Sequence, residues 1–243
     1  MPSVEKRVGD AEILIAVVAA LKRELVPLRR KAHRSLALIE TGAGAQNADR
    51  HLRWWLERSR TRAVIGIGFA GALSRSLQVG DLMVGREVVG GNGQRLAANS
   101  APLISAAERL EIDGPVVRFG TIITTNKIAG ESKDKRSLAM ALSANEIGCV
   151  DIESSAIAKV CAERHIPFLI VRCITDVFDE DLPIDFNRCR NSDGDLSYVK
   201  VLKAALLNPR SFRGLWELRR RSQACAEQLA LFVQRLLPFI KAR

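Results

Sequence analysis

The chain is poor in several features, and each shortage closes off a class of function. No apolar run approaches the ~20 residues that a bilayer crossing needs. The segment from Met1 to Asp10 is too polar and charged to contain the apolar stretch of a signal peptide, so a cytoplasmic location is expected. The five cysteines (Cys149, Cys161, Cys173, Cys189 and Cys225) form no Cys-x-x-Cys pair and have no histidine at metal spacing. Neither a zinc site nor a disulfide framework is therefore expected, and Cys149 and Cys173 stand in apolar strand contexts where a thiol serves as a small hydrophobe. The only histidines, His33, His51 and His165, lie far from any Ser or Cys motif, which leaves a His-based triad without support. Aromatic residues make up only 5% of the chain, and no recognition-helix or base-stacking pattern appears. A formal charge of +10 asks for an acidic partner, yet without those patterns nucleic acid is not expected.

The positive charge gathers at two places. One cluster comprises Lys22, Arg23, Arg29, Arg30, Lys31 and Arg34; the other runs down the tail through Arg210, Arg213, Arg219, Arg220, Arg221, Arg235, Lys241 and Arg243. Solvated helix faces account for such clusters. An anionic membrane surface is the alternative, because Phe212, Leu215, Trp216 and Leu218 interleave with the tail arginines at helical spacing.

Short β-rich runs alternate with helical patterns, which argues for an α/β fold. Strands are expected over Glu12–Ala19, Leu36–Thr41, Ala63–Gly68, Leu82–Val89, Val116–Thr124, Cys149–Ile152 and Phe168–Ile174. Helices are expected over Lys22–Lys31, Gln46–Arg58, Ser105–Glu111, Ser132–Asn145 and Glu153–Arg164. Beyond Asp181 a polar loop leads into purely helical sequence. With 47% hydrophobic residues, no repeat and no low-complexity linker, one domain over 1–243 is expected, its core at about 12–181 and a helical C-terminal extension at about 195–240.

Two carboxylates stand out. Val150-Asp151-Ile152-Glu153 ends a buried strand and opens a helix, and Arg172-Cys173-Ile174-Thr175-Asp176 ends the next apolar strand. Both fall at the carboxyl edge of an α/β sheet, where ligands bind, and their strand ends are expected to be neighbours. Glu153 and Asp176 there could hold a polyol and donate a proton, the equipment for breaking a glycosidic bond; the competing reading is an N-cap carboxylate and a solvated loop acid. Small residues in Gly66-Ile67-Gly68-Phe69-Ala70-Gly71-Ala72 follow a buried strand and would let backbone N–H groups approach an anion or a sugar.

Taken in order, these segments resemble the superfamily of purine nucleoside phosphorylases and methylthioadenosine/S-adenosylhomocysteine nucleosidases. Ile15 to Glu24 is similar to its first strand with a functional Glu, and Gly68 to Leu73 with Val79-Gly80-Asp81 to its glycine-rich and Val-Gly-Asp segments. Val150–Glu153 is similar to its Val-Glu-Met-Glu ribose motif, and Arg172–Asp176 to its Arg-x-x-Ser-Asp motif. In the tail, Asp193-Gly194, Val201-Leu202, Asn208-Pro209-Arg210 and the helix from Phe212 resemble the hopanoid-associated phosphorylase branch, implied to release adenine from adenosylhopane.

The resemblance implies a three-layer α/β/α fold with a mixed central sheet, a homodimer, and no cofactor, phosphate being a co-substrate only if the enzyme is a phosphorylase. It implies that Asp176 serves N7 of the purine and Glu153 the ribose hydroxyls. Glu24 would serve the attacking water, while Ala70 and Gly71 would line the nucleophile site. Arg172 would steer Asp176 or form a structural ion pair. Three departures bear on the substrate: Phe69 where nucleosidases carry Ser, Ile152 for Met beside the ribose Glu, and Ile128 near an expected base-stacking Phe. Ala19, Ala20 and Phe69 stand where phosphorylases place arginines, so water is favoured over phosphate. A phosphorylase and a non-catalytic nucleoside binder on the same fold are the alternatives.

Overall fold

The computed structural model describes residues 14–30, 36–97, 101–112, 114–191, 197–208 and 211–241. Several positions singled out above therefore lie outside the described residues: Lys31, His33 and Arg34, the start of the first strand, Asp193-Gly194, Pro209-Arg210 and Arg243.

Among the described residues, eight strands form one sheet: β1 (Leu14–Ala19), β2 (Leu36–Glu40), β3 (Thr61–Ala72), β4 (Leu82–Val89), β5 (Arg95–Ala97), β6 (Val117–Thr124), β7 (Gly148–Asp151) and β8 (Phe168–Asp176). The helices are α1 (Lys22–Arg29), α2 (Ala45–Leu56), α3 (Ala101–Glu108), α4 (Ser132–Ala139), α5 (Ser154–Glu163), α6 (Tyr198–Leu207) and α7 (Ser211–Lys241). The order β2-β1-β3-β7-β6-β4-β5 is crossed by β8, which pairs with both β3 and β4. Strands β3, β8, β4, β6 and β7 thus join in a closed ring, with β1 and β2 extending it. The sheet is mixed: β1/β2, β1/β3, β3/β8, β4/β6 and β6/β7 are parallel, and β3/β7, β4/β8 and β4/β5 antiparallel.

The layers follow from strand composition. Strands β1 and β8 are apolar almost throughout and buried on both faces, as strands sandwiched between helices must be. Ile15, Val17, Ile65, Ile67, Leu169 and Val171 meet α1, α3 and α7 on one side. Ala16, Val18, Val64, Phe168 and Ile170 meet α2 and α5 on the other.

Four expectations need correction. The third strand does not end at Gly68 with Phe69–Ala72 after it; Phe69–Ala72 continues β3, because its small residues pair on both sides, with β8 and with β7. Strands β7 and β8 are not neighbours, since the end of β3 lies between them. Helix α4 stops at Ala139, before a turn in which Asn145 takes φ 68° and the Glu146 carboxylate accepts the Ser143 amide. The C-terminal helix is no appendage: Cys225, Leu229, Phe232, Val233 and Leu236 are buried against the sheet. The short strand β5, a hairpin partner of β4 across the Gly90–Gly93 turn, was not anticipated.

Candidate active site

Glu24 sits in the first turn of α1, directly after β1. Its carboxylate reaches back to accept the Leu21 amide at 2.7 Å, a half capping box, and accepts the Phe69 amide of β3 at 3.2 Å. Only 3% of the residue is exposed. Burial pushes the carboxyl above its ordinary range, against the Leu21 amide and the charges of Arg172 and Arg23.

Glu153 occupies the N-cap position of α5 but does not cap it. That work falls to Asp151, which accepts the Ser154 amide at 3.0 Å and the Ser154 hydroxyl at 2.6 Å. The Glu153 side chain is thereby left free for the cavity, where its Oε1 accepts the Gly44 amide at 2.8 Å. Gly44 opens α2 with φ 95°, which favours glycine, and a Cβ there would come within 2.6 Å of the Arg190 guanidinium. Burial, and then the charge of Asp151, push the Glu153 carboxyl up to about 7.

Asp151 is a site residue that the motif reading passed over. It accepts Arg172 Nε at 2.7 Å and the Thr124 hydroxyl at 2.8 Å, and is 6% exposed. Arg172 is accordingly committed to Asp151 and does not reach Asp176, so of its two sequence readings the structural ion pair holds. Arg172 does not line the cavity.

Asp176, the last residue of β8, is partnered instead by Lys135 of α4. Lys135 is fully buried and donates to the carbonyls of Val177 at 2.8 Å and Glu180 at 2.9 Å, which fixes the chain leaving β8 around its ammonium. Thr175 Oγ1 donates to Asp176 Oδ1 at 2.9 Å. Burial pushes the Asp176 carboxyl up, and Lys135 opposes it. Gly71 makes the arrangement possible: a Cβ there would lie 2.9 Å from Asp176 Oδ2 and 3.4 Å from Lys135 Cε. A lysine between Ser132 and Asn145 reads as a solvated helix charge, so no sequence signal pointed to Lys135.

Glu24, Glu153 and Asp176 line one cavity of about 760 Å³, together with Phe69, Ala70, Gly71 and Ile152. Ile128 lines it too, and Phe186 brings an aromatic ring that the sequence reading did not assign. Helices α1, α6 and α7 supply apolar walls through Val26, Pro27, Val201, Leu215 and Leu218. Leu215 and Leu218 therefore turn inward, whereas Phe212 and Trp216 are exposed. Among the described residues, no group of three or more His, Cys, Asp or Glu side chains could hold a metal ion.

Chemically, the site offers three acids of raised pKa, one of them held by a buried cation, all at the carboxyl ends of strands. Residues 22–192 match the family described as the Phosphorylase superfamily. The 5'-methylthioadenosine/S-adenosylhomocysteine nucleosidase of Staphylococcus epidermidis (strain ATCC 12228 / FDA PCI 1200) is 22% identical over 233 residues, covering 80% of this chain and 95% of the relative. The same-named protein of Haemophilus influenzae (strain 86-028NP) is 30% identical over 169 residues, covering 63% of this chain and 73% of the relative. The crystal structure of the Neisseria meningitidis nucleosidase of that name, in complex with methylthio-immucillin-A, matches with a TM-score of 0.72 at 21% identity, covering 92% of this chain and 98% of that one.

Proposed function

The chain belongs to the phosphorylase superfamily, and from that premise we propose that it is a nucleosidase, breaking the N-glycosidic bond of an adenine nucleoside with water and releasing adenine. The observation that carries this reading is the convergence of Glu24, Glu153 and Asp176, all buried, on one cavity.

In the proposed reaction Asp176 gives a proton to N7 while the C1′–N9 bond breaks and its electron pair leaves with the base. The raised pKa of Asp176 favours the protonated acid that this step needs. Lys135 positions the carboxyl without touching substrate. Glu153 accepts hydrogen bonds from the ribose 2′- and 3′-hydroxyls and favours positive charge developing on the sugar ring. Glu24 takes a proton from the attacking water, whose oxygen bonds to C1′. Water is preferred to phosphate because the buried Glu24 carboxylate, bound to the Phe69 amide, would face the anion and Arg172 is already bound to Asp151, although Arg23, Arg30, Arg190 and Arg219 also line the cavity.

The cavity volume lies toward the upper end for small-ligand sites, roughly 300–1,000 Å³, and α1, α6 and α7 bring apolar side chains to its walls beside Arg23, Arg219 and Glu227. Both features support a bulky apolar 5′ substituent, for which the tail's resemblance suggests adenosylhopane. Such a substrate would bring the enzyme to a membrane surface from the cytoplasmic side. The resemblance adds a homodimer, an assembly state that light scattering reads directly.

The test is adenine release in phosphate-free buffer from methylthioadenosine, S-adenosylhomocysteine, adenosine and, in detergent, adenosylhopane. Release from at least one is expected, and Asp176→Asn should lower it by a factor on the order of 10²–10⁴. Turnover that survives in Asp176→Asn would remove Asp176 from the reaction, and no release from any of the four would sink the nucleosidase reading.

A further inference from the structure

Eleven large apolar side chains are exposed among the described residues, and six of them fall between Val199 and Trp216. On α6, Val199, Leu202 and Leu206 recur at i, i+3 and i+7 and form one stripe, with Leu207 beside it. They are 56–88% exposed, whereas Ala205 of the same helix is buried and Val201 lines the cavity. On the first turns of α7, Phe212 and Trp216 at i and i+4 are 44% and 67% exposed, and Leu215 and Leu218 turn into the cavity.

Cations flank these side chains. Lys200, Lys203, Arg213, Arg219 and Arg220 are all exposed. The one acid among the described residues of this stretch, Glu217, is held by Arg221 at 2.5 Å. An apolar ridge with a cationic border is the physical description of a surface that lies in a lipid headgroup layer.

We infer that α6 and the first turns of α7 dock the protein on an anionic bilayer. Leu202, Leu206, Phe212 and Trp216 enter the acyl boundary, where an amphipathic indole is favoured, and the lysines and arginines meet headgroup phosphates. A second copy of the chain does not fit this face. An isologous contact would set the same cations against one another, with the single nearby acid already bound. Nucleic acid would engage the cations but leave six apolar side chains in water.

The same two helices supply Val201, Leu215 and Leu218 to the cavity wall, so the docking face and the site share their scaffold. An amphiphilic substrate would pass from bilayer to cavity along one pair of helices. That purpose rests on the proposed nucleosidase reading; the docking itself does not.

The test is co-sedimentation of the full chain with vesicles of equal parts phosphatidylcholine and phosphatidylglycerol, against pure phosphatidylcholine. Binding to the anionic vesicles is expected, with release at about 1 M salt, where screening lengths shrink to ~3 Å. Leu202→Glu/Leu206→Glu and Arg213→Gln/Arg220→Gln should each weaken binding by roughly tenfold or more while leaving hydrolysis of a water-soluble nucleoside unchanged. A blue shift of indole emission on binding should vanish in Trp216→Phe. The inference is overturned if anionic vesicles retain nothing at low salt. It is equally overturned if both double variants sediment like the parent, or if Leu202→Glu/Leu206→Glu changes the oligomeric state without lipid. Vesicle binding by a protein that releases no adenine would leave the docking face standing and remove the nucleosidase reading instead.

Discussion

At the scale of single residues, the site holds its acids at a cost to the fold. Loss of hydration, and then the charge of Asp151, raise the Glu153 carboxyl from 4.5 to about 7. A carboxyl raised in the folded state favours folding while it is protonated. That contribution is complete below the unfolded value and is lost as pH rises through about 7. Glu153→Gln, which keeps an oxygen for the Gly44 amide, should therefore be more stable than the parent at about pH 8.5, by on the order of 3 kcal/mol. The gain should vanish near pH 4, and turnover should be lost at either pH. Denaturant melts at the two pH values, with an adenine-release assay beside them, check this; a variant less stable at the higher pH would contradict it. Not every partner in the site was legible. Glu153 and Asp176 could be found because acids beside apolar strand ends are conspicuous, and Glu24 through the resemblance of its segment to a family's first strand. Lys135 and Asp151 could not, because their importance lies in what faces them across the sheet.

Among the elements, strand order along the chain was readable from apolar runs bounded by glycines and turns, and most boundaries fell within a few residues. Pairing was not readable. That β3 extends through Phe69–Ala72 depends on β7 and β8 approaching it from both sides, a contact no local pattern encodes. Helix α7 carries the same lesson. Its arginines and exposed Trp216 suggest a surface appendage, while Phe232 and Leu236 are fully buried among residues of β1, β3 and β8. Arg221 on the same helix binds Glu180 at 2.8 Å, in the loop that Lys135 also holds. Phe232→Ala should destabilise the whole fold by about 3–5 kcal/mol, read as a lower urea midpoint reported by every spectroscopic probe. Loss of α7 alone, with the sheet transition unmoved, would show the helix to be an extension after all.

For the whole molecule, the ring of β3, β8, β4, β6 and β7 turns three strand ends toward one cavity, while α1, α6 and α7 wall it with apolar side chains. The central claim is that water, and not phosphate, attacks there. The most direct measurement gives the enzyme its best nucleoside in phosphate buffer and identifies the sugar product by phosphorus NMR and mass spectrometry. The account predicts adenine and a free sugar, at a rate that phosphate does not raise. A sugar 1-phosphate, formed only when phosphate is present, would contradict it and assign the Glu24 side of the cavity to an anion.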